Sequence, residues 1–180
     1  MLLLRNLLSI LLLPAVVTLA VPYWILSSRP AGLAGSLTPA TFVSVLAGAT
    51  VVSLGLILVG GTIRRFATEG RGTLAPWDPP RHLVVSGVYR RVRNPMISGV
   101  ILILLGEALA LLSIPLLQWA AGFWLINAIY IPLLEEPMLE ARFGAEYREY
   151  KAHVPRWVPQ RTAWTPPWAG EKPQPPEKTP

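Results

Sequence analysis

The sequence predicts an all-α integral membrane protein with four transmembrane helices, a cytoplasmic loop and a C-terminal amphipathic helix. Of its 180 residues, 52% are hydrophobic and only 14% are charged, which is too apolar for an ordinary soluble domain. The charges are also segregated, because stretches 7–26, 40–63 and 116–134 have none and stretch 96–112 has only Glu107. Each stretch is close to the roughly 20 residues that cross the hydrocarbon of a bilayer.

The first stretch has an alternative interpretation. A signal peptide would also show a basic residue such as Arg5, an apolar run and a small residue such as Ala20. The run is longer than a usual signal sequence, and further apolar stretches follow it, so we favour a transmembrane helix. The third and fourth stretches are separated only by residues 113–115, which predicts a tight hairpin.

The basic residues predict the orientation of these helices. Arg5 precedes the first helix, and in the loop between the first two helices the sequence places only Arg29. All the other basic residues lie in segment 64–93 or after Leu134, and basic residues favour the cytoplasmic side of a membrane. We therefore expect both termini and the central loop to be cytoplasmic, which requires an even number of spans. The residues in these two regions are Arg64, Arg65, Arg71, Arg81, Arg90, Arg91, Arg93, Arg142, Arg148, Lys151, Arg156, Arg161, Lys172 and Lys178.

Several classes of function are disfavoured by composition. The net charge of +6 does not indicate nucleic-acid binding, because the arginines flank membrane segments, as topology requires. The chain has no cysteine, and His82 and His153 are its only histidines, so we expect no metal site. It also lacks a Ser-His-Asp set, a phosphate-binding loop and an HExxH motif. Any chemistry is therefore expected to come from a bound cofactor.

The C-terminal third predicts an amphipathic helix and then a tail. After the fourth helix and the sequence Glu135-Glu136-Pro137, apolar residues recur at spacings of 4, 4 and 3. The apolar face consists of Leu139, Phe143, Tyr147 and Tyr150, and the opposite face of Arg142, Glu146, Arg148 and Glu149. We expect one membrane domain over residues 1–161 and a Pro-rich, disordered tail over 162–180.

The most informative stretch is SGVYRRVRNPMISG, residues 86–99. Asn94 suits the N-cap of a helix and Pro95 its first turn. The free N–H groups of that helix start carry partial positive charge, and Arg90, Arg91 and Arg93 add full charges beside it. Such a site attracts a carboxylate or a phosphate.

The predicted hairpin places Glu135 and Glu136 beside residues 90–94, at the cytoplasmic ends of antiparallel helices. A site with cationic and anionic groups suits a ligand that carries both charges. Two simpler alternatives stay open: the arginines contact lipid headgroups, or the glutamates are solvated. Because adjacent helical residues point about 100° apart, one glutamate can face inward while the other faces water.

Two single residues have competing interpretations. Glu107 lies within the third helix, where a carboxylate is costly. Over substrate contact or proton relay, we favour an interhelical hydrogen bond, for example to Asn127 or Gln118, or exposure near the outer surface. His82 could act as a base, but isolated loop histidines rarely do.

The sequence resembles the isoprenylcysteine carboxyl methyltransferase family and its bacterial relatives. The resemblance rests on residues 82–89 (HLVVSGVY), Val92-Arg93-Asn94-Pro95-Met96 with Gly99, and Glu135-Glu136. It continues through Leu139, Phe143-Gly144, Tyr147, Tyr150 and Val154-Pro155-Arg156, so that it covers roughly residues 71–159. It implies an integral membrane enzyme that uses S-adenosyl-L-methionine, bound at the cytosolic ends of the later helices.

By position, the resemblance also implies which residues bind the cofactor. The charge argument above adds Arg93 and Glu136 to that set, and no catalytic residue is assigned. The predicted cofactor-binding residues are His82, Leu83, Val84, Tyr89, Arg93, Asn94, Pro95, Met96, Ile97, Glu135 and Glu136.

Two positions depart from the family's eukaryotic members. Those enzymes have a histidine where this chain has Asn94, which can hydrogen-bond but cannot titrate. They also have an arginine, which holds the substrate carboxylate, where this chain has Ile131. The second departure argues against a prenylcysteine carboxylate as the substrate.

We therefore expect a methyltransferase in a bacterial or archaeal cell membrane, in contact with membrane lipids, that acts on a small lipophilic or lipid-like acceptor. A lipophilic amine, a thiol and a phospholipid headgroup all remain open as the acceptor. The alternatives are a sterol-reductase-like membrane reductase, which would need a nicotinamide cofactor, and a lipid-binding protein without catalysis.

Overall fold

A computed structural model describes residues 14–28, 38–69 and 83–168, and these ranges contain helices and turns but no strand. The prediction of an all-α fold is confirmed for this part of the chain. The helices are α1 (Val16–Ser27, opening with a π-helical turn over Val16–Ala20), α2 (Pro39–Glu69), α3 (Pro95–Ala110), α4 (Ile114–Tyr130) and α5 (Glu136–His153).

Helices α2 and α3 pack closely because glycines face each other across their interface. A Cβ atom built on Gly106 would lie 2.7 Å from the backbone nitrogen of Val52, and one built on Gly55 would lie 2.7 Å from the carbonyl oxygen of Gly99. Contacts that short leave no room for a side chain. Small residues of this kind let transmembrane helices approach along their backbones.

The predicted hairpin between α3 and α4 is confirmed. Ser113 is the N-cap of α4, and its hydroxyl oxygen accepts a hydrogen bond from the Leu116 N–H at 3.5 Å. Ala120 of α4 joins Ile103 and Leu104 of α3 in a buried core cluster. Helix α1 is tied to this core by the indole N–H of Trp119, which donates to a carbonyl oxygen in α1 at 3.1 Å.

Glu107 lies in α3, but the hydrogen bond that we expected for it is not formed. The amide of Asn127 donates instead to the carbonyl oxygen of Phe123 at 2.8 Å, and Gln118 is exposed. The Oε2 atom of Glu107 is buried and has no hydrogen-bond partner among the described residues. Asn127 does not bind Glu107 because an amide four residues from a helical carbonyl can bond within its own helix.

Helix α4 continues into α5 without a break at residues 135–137, and the backbone departs from helical geometry only further along, at Gly144. A π-helical turn over Ile131–Glu135 joins them, and the Glu136 N–H bonds to the carbonyl oxygen of Ile131, five residues earlier. The sequence indicated an end here because Pro137 has no N–H to donate. The wider turn places that proline at the beginning of α5, where the missing donor is tolerated.

Two of the described helices are long and apolar enough to cross a membrane, Pro39–Arg65 and Ile114–His153, and two shorter apolar helices are Val16–Ser27 and Pro95–Ala110. Large apolar side chains on the two long helices are exposed, as on a lipid-facing surface. Examples are Phe42, Leu46, Ile57, Leu125, Ile126 and Leu133.

The predicted amphipathic helix is confirmed as α5. Tyr147 and Tyr150 are buried, whereas Arg142 and Glu146 on the opposite face are exposed. The sequence did not reveal that the backbone bends at Gly144, whose φ of 56° and ψ of −126° are not helical. Glycine has no Cβ and tolerates this conformation.

Candidate functional site

The residues before α3 form a tight turn, residues 87–94, which we call the arginine turn. It opens with a 3-10 helix over Gly87–Arg90, where Gly87 has a φ of 51°. At the end of α2, Arg65 donates from Nη1 to the Ser86 hydroxyl at 3.0 Å, which holds the start of the turn. Asn94 is the N-cap of α3, and Pro95 occupies its first turn, as the sequence predicted.

Backbone hydrogen bonds hold residues 154–165, the C-terminal segment, against the arginine turn. The Arg93 N–H donates to the carbonyl oxygen of Pro155, and the Gln160 N–H donates to the carbonyl oxygen of Arg91, each at 2.9 Å. These bonds satisfy polar groups of a turn that has few intrahelical partners. The turn and the C-terminal segment therefore form one structural unit.

The first two arginines of the turn reinforce this unit with their side chains. Arg90 donates from Nε to the carbonyl oxygen of Trp164 at 2.6 Å and from Nη2 to the hydroxyl of Thr165. Arg91 donates from Nη1 to the carbonyl oxygen of Arg161 at 2.5 Å. Both guanidinium groups thus bind backbone of the C-terminal segment.

Arg93 points the other way, into a buried ion network. Its Nη1 lies 2.9 Å from Oε1 of Glu136, and the two side chains are only 9% and 5% exposed. Arg156 from the C-terminal segment donates to both oxygens of the same carboxylate, from Nε at 2.7 Å and from Nη2 at 3.0 Å. The hydrogen bonds to Glu136 raise the pKa of Arg156 above its ordinary value, since they stabilise the charged guanidinium.

Glu135 lies at the first position beyond the charge-free stretch 116–134, and it is half-buried. Burial, together with the charge of Glu136, raises the pKa of its carboxyl group. The pKa of the nearby Tyr89 hydroxyl is raised by burial first, and by Tyr150 and Glu135 in addition. Glu135 directly precedes Glu136, whose carboxylate contacts Arg93 of the arginine turn.

The structure brings most of the predicted site residues to this end of the molecule. Tyr89, Val84, Pro95 and Glu136 are buried, while Leu83, Arg93, Asn94, Met96, Ile97 and Glu135 are half-buried. Leu83 packs against the aromatic cluster of Tyr147 and Tyr150. The side chain of Asn94 makes no capping hydrogen bond. The prediction for His82 falls outside the described residues.

Three residues of this region had no role assigned from the sequence. Arg156 binds Glu136, the Tyr150 hydroxyl donates to the carbonyl oxygen of Tyr89 at 2.8 Å, and Trp164 lies beside the ring of His153. The sequence showed Tyr150 as a core position and Arg156 as part of a matched motif, but not what either contacts. Within the described ranges, no group of three or more His, Cys, Asp or Glu residues could hold a metal ion.

Comparisons with known proteins identify the family of this chain. Residues 43–146 match the model of the phospholipid methyltransferase family. A protein of Arabidopsis thaliana named protein-S-isoprenylcysteine O-methyltransferase B is 34% identical over 113 residues, which are 59% of this chain and 57% of that protein. No solved structure matches the chain. Since the family model covers more than half of it, the chain belongs to the phospholipid methyltransferase family, whose members are S-adenosylmethionine-dependent integral membrane proteins.

Proposed function

We propose that this member of the phospholipid methyltransferase family is an S-adenosyl-L-methionine-dependent methyltransferase that acts on a small lipophilic or lipid-like acceptor. The observation that supports it best is the meeting of the arginine turn, the α3 N-terminus and Glu135 at one end of the molecule. This arrangement offers groups of both charges beside apolar side chains. We further propose four transmembrane spans in a bacterial or archaeal cell membrane, with both termini cytoplasmic.

The residues fit the chemical groups of the cofactor. Its carboxylate suits the Nε–H of Arg93, a buried donor without a partner among the described residues, and the N–H groups at the α3 N-terminus. Its ammonium or ribose hydroxyls suit the carboxylate of Glu135. The adenine suits half-buried apolar side chains, for which Leu83 and Met96 are available.

When bound, S-adenosylmethionine would supply a methyl group that its sulfonium already activates for transfer. The chain's own task is alignment and the exclusion of water. Tyr89, Tyr147 and Tyr150 are buried under the C-terminal segment and make this end of the molecule dry. Direct transfer of a methyl group to the acceptor needs no nucleophile from the protein, which agrees with the lack of a Ser-His-Asp set in the sequence.

The acceptor is proposed to enter from the bilayer. Ile131 is only 1% exposed and begins the π turn that leads to Glu135. A buried isoleucine offers no partner to a carboxylate, so an uncharged or cationic lipophilic acceptor fits better than a prenylcysteine.

Ligand binding to the purified protein in detergent tests this proposal. We expect micromolar affinity for S-adenosylhomocysteine and S-adenosylmethionine, and none for reduced nicotinamide cofactors. Binding of the nicotinamide alone would identify a reductase, and binding of none of these ligands would overturn both enzymatic interpretations.

Substitutions then test the site. Glu135→Ala and Asn94→Ala should each weaken the binding of S-adenosylhomocysteine, because each removes a polar group from the proposed cofactor site. Glu149→Ala is the matched control, since Glu149 is an exposed carboxylate on α5. Unchanged affinity in both site variants would show that the cofactor does not bind at this end of α3.

A further inference from the structure

Arg156 makes the most complete contact of the buried ion network. It binds Glu136 side-on, with Nε on one carboxylate oxygen and Nη2 on the other. A guanidinium held by both oxygens is fixed in orientation as well as in position. Arg93 is left with one bond to Glu136, from Nη1 to Oε1.

The Nε–H group of Arg93 is an unpaired hydrogen-bond donor among the described residues. The side chain of Arg93 is only 9% exposed, yet its Nε has no hydrogen-bond partner among the described residues. A buried donor left unpaired is costly, so it marks a place where a ligand accepts. A donor on a charged guanidinium group also favours an anionic acceptor.

We propose that Arg156 is a positioning residue that keeps the Arg93 Nε–H available for the carboxylate of the cofactor. The proposal rests on the proposed function and extends it to a residue of the C-terminal segment. Arg156 occupies both oxygens of Glu136, which prevents Arg93 from pairing with that carboxylate side-on. Without Arg156, both carboxylate oxygens of Glu136 would turn to Arg93, and one of them would accept a hydrogen bond from its Nε–H. That donor would then no longer be available to the carboxylate of the cofactor.

The test compares two probes that differ only in the carboxylate: S-adenosylhomocysteine and its descarboxy analogue, which keeps the amine. Dissociation constants are measured by calorimetry in detergent for the wild type, Arg156→Ala and Arg156→Lys. The control is Arg148→Ala, because Arg148 is 60% exposed and lies 3.9 Å from Glu140 at the surface of α5.

The wild type should prefer S-adenosylhomocysteine. Arg156→Ala should weaken its binding about tenfold, the effect of one charge-assisted hydrogen bond at the low end of its range, and leave the analogue unchanged within about twofold. Arg156→Lys should lose most of the preference as well, because a lysine keeps the charge but cannot hold both oxygens. Arg148→Ala should leave the dissociation constants of both probes unchanged.

Three results would overturn the proposal. Equal losses for both probes in Arg156→Ala would mean that Arg156 only stabilises the fold. If Arg156→Lys kept the full preference for S-adenosylhomocysteine over the analogue, a positive charge alone would be enough to keep the Arg93 donor available. The Arg156→Lys variant also tests the proposal if Arg156→Ala does not fold. A wild type that binds both probes equally would refute the carboxylate contact while leaving the proposed function intact. A wild type that binds neither probe would refute the function itself.

Discussion

Replacing Glu136 with glutamine tests how much the buried ion network stabilises this protein. The substitution keeps the size and shape of the side chain, so it opens no cavity. It removes the one negative charge that faces Arg93 and Arg156, at donor–acceptor distances of 2.7 to 3.0 Å. Two guanidinium groups would then remain close together without a counter-charge.

The expected loss follows from burial. At an effective dielectric of about 20, opposite unit charges about 4 Å apart attract by roughly 4 kcal/mol. Removing one partner of a buried pair costs about 3–5 kcal/mol, because the other charge is left uncompensated. Arg156 is 29% exposed and can turn toward water, which favours the lower limit, about 3 kcal/mol. For a chain of this size, that corresponds to a decrease in Tm of about 6–12 °C.

Thermal unfolding in detergent, followed by tryptophan fluorescence, measures this decrease. The control is Glu140→Gln on the same helix, whose ion pairs with Lys151 at 3.1 Å and Arg148 at 3.9 Å are at the surface. Surface pairs contribute little, so this variant should melt within about 2 °C of the wild type. If Glu136→Gln had the same Tm as Glu140→Gln, the buried network would contribute no net stability and the argument from burial would be refuted.

Three further substitutions test other parts of the structure. Gly106→Ala should lower the free energy of unfolding by about 1–3 kcal/mol, and the Tm with it, because the new Cβ would lie 2.7 Å from backbone of α2. Gly122→Ala should leave the Tm unchanged, because nothing lies within 4 Å of its new Cβ. Gly87→Ala should weaken S-adenosylhomocysteine binding and lower the Tm, because φ at this position is 51°, a conformation that a residue with a Cβ adopts only with strain. Tyr150→Phe should cost about 1–3 kcal/mol in thermal unfolding, because a buried carbonyl in the arginine turn would lose its donor.

Features that depend on neighbouring residues were predictable from the sequence. The hairpin at Ser113 and the buried face that contains Tyr147 and Tyr150 follow from helix capping and from periodicity, which act over one or two turns. The start of α3 at Asn94-Pro95 was predictable for the same reason. Such signals are local, and the sequence displays them directly.

The partners of the charged side chains were not predictable. Arg93, Glu136 and Arg156 are far apart along the chain, and only the folded structure brings them together. Spacing along the sequence placed Glu135 and Glu136 equally near the arginines, without indicating which one faces them. In the structure Glu136, which directly follows the π turn over Ile131–Glu135, is buried against the arginines, whereas Glu135 is half-buried.

The three arginines of the turn thus have two different tasks. Arg90 and Arg91 bind carbonyl oxygens of the C-terminal segment, and Arg93 enters the network that Arg156 completes. The family match ends at residue 146, so Arg156 and the segment that it belongs to lie beyond it. That model covers the glutamates and the arginine turn, whereas the resemblance to the isoprenylcysteine carboxyl methyltransferases continues through Val154-Pro155-Arg156. In the proposed site, the affinity for the cofactor therefore depends in part on Arg156, which lies beyond the residues matched by the phospholipid methyltransferase model.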